Sequence, residues 1–410
     1  MTSSALPENG SSTGRLELLV LAFCGLHSLF LFLWVVALLS GDADNQRDWY
    51  HLWTVGKQVA TGDLTHIYSV DSLESAAADA QYFWRYPPFA LYLVWPLSWL
   101  GEHAAYAVLV SIELVAMVGA LWLLFRTEGT VPAAPAWAVA VLCSAPALST
   151  LILGQSSGLL LLVVVVAAWL WRHDRPLLAC ALLGVLAFKP NWGLFFGLYA
   201  LGSREWRGAG VMAAVVAGLC LVSLPLGTHL WTDFLGSALS NGEVLVEYEA
   251  FKQITLKGFL AAVVPGQAVA TWIWAGCALA LLGLTCWIWQ RLRALERGVH
   301  GLGIAVVLAV ALNPYGSFYD ALILAFPATL WWTSRRLYMP AIWRGIGLCI
   351  AVIWIWEHFS MYYSGLLESA GWPVTAPFSL IGPLSVLWLI GEGISLAKTR
   401  PLDSEERRPL

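Results

Sequence analysis

The stretch AAYAVLVSIELVAMVGALWLLF, from Ala104 to Phe125, is the clearest indication of how this chain folds. A helix that rises about 1.5 Å per residue needs about 20 residues to cross about 30 Å of hydrocarbon, and this stretch is long enough. A second such stretch, Leu18 to Leu39, runs directly into polar residues without the small-residue pattern of a signal-peptide cleavage site. We therefore predict membrane-spanning helices, the first of them retained.

The composition extends this interpretation to the whole chain. Of its 410 residues, 59% are apolar and 12% are charged, and the mean hydropathy is +0.71. A typical soluble domain carries about 25% charged residues, so this composition argues against a soluble fold. The predicted fold class is all-α: a polytopic membrane bundle of about 10–12 transmembrane or re-entrant helices. The net charge of −4 is spread without a basic block, which argues against a nucleic-acid partner.

The distribution of basic residues orients the predicted bundle. Cytoplasmic loops carry an excess of lysine and arginine, so the connections rich in these residues are placed inside, together with both termini. The predicted organisation is a cytoplasmic tail over 1–14, a single transmembrane domain over 15–399 and a second cytoplasmic tail over 400–410. The loops 41–85 and 228–267 then share the outer face. The basic residues used are Arg15, Arg126, Arg172, Arg175, Arg204, Arg207, Arg291, Arg293, Arg297, Arg335, Arg336, Lys398 and Arg400.

Two apolar stretches do not fit a simple crossing. Leu177 to Leu201 has basic residues at both ends and is interrupted by Lys189-Pro190, and Pro87 to Leu100 is short. We predict that both enter the membrane and return. Non-helical backbone at this depth is tolerated only where protein or a water-filled cavity satisfies its polar groups, so two such elements indicate an internal site.

A carboxylate after the first predicted span is the candidate general base. Asp48 begins a stretch in which Trp49, Leu52, Val55 and Val59 follow the spacing of a helix lying along the interface. A carboxylate at a helix N-terminus also caps the helix, so a purely structural role is the alternative. Two neighbouring carboxylates, Asp42 and Asp44, compete with Asp48 for the catalytic role.

Two cations are candidates for binding a phosphate. Arg85 precedes the rigid pair Pro87-Pro88, and its guanidinium can bind two oxygens at once. Lys189 lies inside an apolar stretch, where an ionisable residue is costly and is read as functional by default. The alternative for Arg85 is an ordinary position at a helix end with its charge in the headgroup region.

Three further polar segments interrupt or end apolar runs. Gly154 to Ser157 and Asn313 to Asp320 are either ordinary turns or parts of the site, and Glu357-His358 fits a headgroup-level pair. Of the outer-loop carboxylates, Glu243, Glu247 and Glu249 either touch an acceptor or face water.

This combination of an outer carboxylate and two cations suits transfer from a phosphate-linked lipid. The cations take up the charge that develops on the leaving phosphate, and the carboxylate accepts the proton of the incoming hydroxyl. A transporter or flippase of a polyprenyl-linked or other anionic lipid could use the same buried lysine, although no internal repeat is visible. A third interpretation is a non-catalytic membrane scaffold, but a scaffold has little reason to keep a lysine such as Lys189 at membrane depth.

The order of these residues resembles glycosyltransferase family 87, whose members are membrane mannosyltransferases and their relatives with the GT-C fold. The resemblance covers about residues 41 to 330. The residues and motifs that carry it are Asp48, Tyr50, Gly62, Tyr68, Tyr86-Pro87-Pro88, Pro96-Leu97, Gly154-Gln155, Lys189-Pro190, Pro314 and Tyr319-Asp320.

The resemblance implies a polyprenyl-phosphate sugar donor, usually a mannosyl one, and direct inverting transfer to a lipid or glycan acceptor. It also implies an active site on the periplasmic or extracellular side of the cell membrane. No cofactor is expected. The loop carboxylates could bind a metal, although GT-C enzymes with lipid-phosphate donors often work without one. It favours Asp48 as the base, with Arg85 and Lys189 at the donor phosphate. Some members have a histidine after the proline of the last motif, which this sequence lacks. The other implied site residues are Tyr50, Tyr86, Gln155, Tyr319 and Asp320.

Overall fold

The computed structural model describes residues 48–65, 67–68, 84–127, 134–240, 253–294, 298–333 and 380–398, and within these ranges it contains helices and no strand. The predicted all-α fold is confirmed. The helices are α1 (Asp48–Thr61), α2 (Glu102–Thr127), α3 (Ala134–Leu142), α4 (Ala145–Leu153), α5 (Ser157–Arg172), α6 (Pro176–Val185), α7 (Pro190–Gly202), α8 (Trp206–Ser223), α9 (His229–Ser240), α10 (Leu256–Val263), α11 (Gln267–Ala294), α12 (Gly298–Leu312), α13 (Ala325–Thr333) and α14 (Ile381–Lys398).

Three of these helices are long and apolar enough to span a membrane: α2, α8 with its extension to Leu226, and α11. Only 11% to 33% of their most apolar windows is buried in protein, so most of their apolar side chains face outward, where lipid is the matching solvent. The bent pair α4 and α5 is a fourth candidate span, and four shorter apolar helices accompany it. The chain is therefore a polytopic membrane bundle. The number of 10–12 helices stays a prediction, because Leu18 to Leu39 lies outside the described residues.

The centre of the bundle is α12, in which every residue from Gly301 to Leu312 is buried. A helix that is apolar all round belongs in such a position. Around its first turn pack Tyr199 and Trp289, whose rings lie 5.6 Å apart, and the Tyr199 hydroxyl donates to the Gly298 carbonyl over 2.7 Å.

Proline and glycine break the helices where the sequence suggests. Pro190 lacks an N–H group, so α6 ends through a 3₁₀ turn over Leu186–Phe188 and α7 restarts at the proline, as the predicted interruption requires. The segment Pro88–Trp99 likewise forms only short helical turns. Gly154 takes the left-handed conformation (φ 68°) at the end of α4, and α5 departs at 120° to it. The re-entrant paths themselves stay predictions.

The helix predicted to begin at Asp48 is present as α1. Its position along the membrane interface stays a prediction. Several other predictions fall outside the described residues. These are the two tails, the first span, Asp42, Asp44, the glutamates Glu243, Glu247 and Glu249, and the pair Glu357-His358.

Candidate active site

The Asp48 carboxylate lies at the start of α1 and is held by Gln155 from the turn between α4 and α5. The Gln155 Nε2 amide donates a hydrogen bond to Asp48 Oδ2. The opposite end of the same amide, Oε1, accepts from the Tyr86 hydroxyl over 3.4 Å. Gln155 therefore links two other residues that the sequence singled out, Asp48 and Tyr86.

Close packing fixes α1 against the bundle. Trp49 is 4% exposed, and its ring lies 4.8 Å from that of Tyr106 on α2. A Cβ atom at Gly154 would collide with Trp49, so glycine is required there by space as well as by its backbone angle. Trp53 Nε1 donates to the Leu100 carbonyl over 3.1 Å, which attaches α1 to the short turns that follow Pro88.

A buried ion pair forms the second part of the site. Lys189 Nζ lies 3.0 Å from Asp320 Oδ1, and the two side chains are 6% and 5% exposed. The same carboxylate oxygen accepts from the Ser157 hydroxyl over 3.1 Å. The Lys189 ammonium also lies 5.5 Å from the centre of the Tyr319 ring, within cation–π range. The break before Pro190 thus points the lysine into the protein and away from lipid.

The two parts of the site are close enough to interact electrostatically. The Tyr86 side chain interacts electrostatically with Lys189, Asp48 and Asp320. The Tyr319 side chain interacts with the same two carboxylates. The half-buried Asp48 carboxylate and the buried Lys189 ammonium therefore share one polar region, where charges are screened less than in water.

Arg85 is exposed beside this region. Burial, and then the charge of Arg85, lower the pKa of His51 to about 4, so its imidazole is neutral near pH 7. Tyr50, also on α1, is half-buried and packs against Trp49 and Trp53, with ring centroids 5.9 and 5.8 Å away. Tyr50 stays a candidate whose described contacts are aromatic.

The sequence reasoning missed Glu113, which is buried in α2 and interacts electrostatically with Lys189. The sequence does indicate it, because an ionisable side chain inside an apolar stretch is costly and is read as functional. That argument was made for Lys189 and applies equally to Glu113. The sequence reasoning also missed Asn191, which donates to Asn313 Oδ1 over 3.3 Å beside the Lys189 turn. Among the described residues, no group of three histidine, cysteine or acidic side chains is placed to hold a metal ion.

Comparison with known families decides what kind of protein this is. The model of glycosyltransferase family 87 matches residues 84–314, more than half of the chain. The chain belongs to glycosyltransferase family 87. No curated protein and no solved structure matches it. A member of glycosyltransferase family 87 with these helices is a membrane glycosyltransferase, and it uses a sugar donor and an acceptor.

The range matched by the model of glycosyltransferase family 87 contains Arg85, Tyr86, Gln155 and Lys189. Asp48 and Asp320 lie on either side of that range, and the fold brings both to the matched residues. Family membership favours the glycosyltransferase interpretation over a lipid transporter or a scaffold.

Proposed function

We propose that this glycosyltransferase, with a GT-C-type architecture, transfers a hexose, mannose, from a polyprenyl-phosphate donor to a lipid or glycan acceptor. Transfer takes place on the non-cytoplasmic face, with inversion at the anomeric carbon. The observation that carries the proposal is the meeting of a carboxylate, Asp48, and a buried ammonium, Lys189, in one polar region of a membrane protein.

In the proposed reaction Asp48 is the general base. The acceptor hydroxyl attacks the anomeric carbon, its oxygen forms the new glycosidic bond, and its proton passes to the Asp48 carboxylate. The bond between the anomeric carbon and the phosphate oxygen breaks, and polyprenyl phosphate leaves with the electron pair. A single displacement of this kind inverts the configuration. Gln155 orients the carboxylate through its hydrogen bond to Oδ2.

Lys189 and Arg85 are proposed to bind the donor phosphate. An ammonium carries three N–H donors. One of them on Lys189 points to Asp320, which leaves donors for phosphate oxygens. Asp320 and Ser157 fix the lysine in place, so the developing charge of the leaving group meets a preorganised cation. Arg85, at the exposed edge, supplies the second cation without deep burial of its charge.

The length of α2 supports the outer location of the site. Tyr106, near the start of α2, packs against Trp49 beside Asp48, whereas Arg126 lies at its other end. At about 1.5 Å per residue these positions are about 30 Å apart, the thickness of the hydrocarbon core. Arg172 lies at the Arg126 end, where it donates to the Thr127 carbonyl. Since basic residues favour the cytoplasm, the Asp48 end belongs outside.

The wild-type protein in liposomes is expected to transfer label from polyprenyl-phosphate [¹⁴C]mannose to a pool of membrane glycolipids. Polyprenyl-phosphate glucose, supplied in parallel, tests the choice of hexose. Label that reaches the acceptor from the mannosyl donor alone supports the proposal. Labelled donor that only moves between leaflets, with no glycosidic product, would overturn it in favour of a lipid transporter.

Replacing Arg85 by alanine is expected to weaken donor binding by about 10- to 100-fold, since a hydrogen bond to a charged group contributes about 1.5–3 kcal/mol. Donor affinity is measured by titration of a fluorescent polyprenyl-phosphate sugar. A soluble mannoside without phosphate should bind wild type and variant alike. Arg207→Ala, which removes an equally exposed arginine at the start of α8, is the matched control. Equal donor affinity in the Arg85 variant would remove this residue from the phosphate site.

A further inference from the structure

The Glu113 carboxylate of α2 binds free backbone N–H groups at the start of α5. The side chain is 3% exposed in the middle of α2. Its Oε2 atom accepts hydrogen bonds from the backbone N–H groups of Gly158, over 2.7 Å, and Leu159, over 3.2 Å. The first N–H groups of a helix have no partner within the helix, and the N-cap residue Ser156 supplies no side-chain bond here. A residue of the neighbouring helix therefore caps α5.

The fit between the two helices depends on Gly158. A Cβ atom at this position would lie 2.7 Å from Glu113 Oε2 and 2.9 Å from the Glu113 carbonyl oxygen. Such distances are too short, so a side chain would force the two helices apart. The glycine allows the carboxylate to reach the backbone of α5 directly.

The same turn of α5 carries contacts to both parts of the active site. Gln155, just before the helix, binds Asp48, and Ser157, its first residue, binds Asp320. Glu113 binds the next two backbone N–H groups. A displacement of this turn would therefore move both contacts at once.

A packing role alone does not explain a carboxylate here. A leucine would fill similar space without the cost of burying a polar group at membrane depth. The Glu113 oxygen accepts two backbone N–H bonds at the N-terminal end of α5, where the helix dipole also favours an acceptor. Both hydrogen bonds need a side-chain oxygen, which leucine lacks.

We propose that Glu113 is a positioning residue, which fixes the first turn of α5 so that Gln155 orients Asp48 and Ser157 orients Asp320. The inference rests on the proposed function, since it gives Asp48 the role of base. Glu113 itself touches no reacting atom in this mechanism.

The test compares Glu113→Leu with Glu113→Gln, whose amide oxygen still accepts N–H bonds. Glu113→Leu is expected to lower kcat for sugar transfer by about 10- to 100-fold, the scale of one or two hydrogen bonds to a charged group. The rise in donor KM should be smaller, because Lys189 keeps its own contact with Asp320. Glu113→Gln should recover most of kcat. In a Gln155→Ala background the further loss caused by Glu113→Leu should shrink, because both changes disturb the same contact. Glu102→Leu, which removes a carboxylate at the first residue of the same helix, is the control.

A second measurement does not depend on activity. Hydrogen exchange at the Gly158 and Leu159 amides should become faster in Glu113→Leu and stay slow in Glu113→Gln. Unchanged exchange would overturn the inference, as would an unchanged kcat or losses that add fully with Gln155→Ala. If the wild type transfers no sugar, the proposed function fails, and the exchange rates still decide whether Glu113 fixes the turn.

Discussion

Replacement of Asp48 by asparagine is expected to lower the rate of sugar transfer by about 10²- to 10⁴-fold, the usual contribution of a general base. Asparagine has nearly the same size, and its side-chain oxygen can still accept from Gln155 Nε2. It cannot take up the proton of the acceptor hydroxyl. The loss should therefore appear in kcat, while donor affinity changes little, and both are measured with labelled donor in liposomes.

Asp63 provides a matched control for this experiment. It is an exposed carboxylate shortly after α1, and its Oδ1 accepts only from the neighbouring Thr65 hydroxyl among the hydrogen bonds described. Asp63→Asn removes the same charge close to the end of the same helix and should leave transfer within about twofold, as surface substitutions usually do. An Asp48→Asn protein that keeps more than a third of wild-type activity would show that another group takes the proton.

Replacement of Lys189 by methionine is expected to destabilise the protein by about 3–5 kcal/mol, because it leaves the Asp320 carboxylate buried and unpaired by this ammonium. Both side chains are almost fully buried, so solvent offers Asp320 little compensation. The thermal unfolding midpoint in detergent should fall clearly below that of the wild type. Sugar transfer should be lost as well, but this single variant does not separate a folding defect from a binding defect.

The double variant Lys189→Met with Asp320→Asn separates the two effects. Removing both charges abolishes the uncompensated carboxylate, and asparagine still accepts from Ser157, so the unfolding midpoint should return most of the way to wild type. Donor affinity should stay low, because no ammonium is left to meet the phosphate. Wild-type donor affinity in this stable double variant would mean that Lys189 serves the fold alone.

Much of this site could be predicted from local sequence. Asp48 starts α1 as its amphipathic spacing suggested, and the break at Lys189 follows from the missing N–H group of Pro190. Gln155 stands in a visible polar interruption between two apolar runs. These features depend on neighbours within a few residues, which the sequence displays directly.

What the sequence did not reveal were the partners across the fold. Asp320 neutralises Lys189 from far along the chain, and no local pattern links the two residues. Glu113 was overlooked because a single carboxylate changes the hydropathy of a 26-residue helix very little. Its purpose depends on which helix packs beside it, and that is set by tertiary contacts such as the close approach at Gly158.

The distance along the chain between the two members of the ion pair also bears on biosynthesis. Asp320 is made 131 residues after Lys189, which at about 5–20 residues per second is a delay on the order of ten seconds. Until Asp320 is made, Lys189 lacks the carboxylate that pairs with it in the folded protein. The ion pair consequently forms only after α12 has been synthesised, so the polar centre of the enzyme is completed late in its assembly.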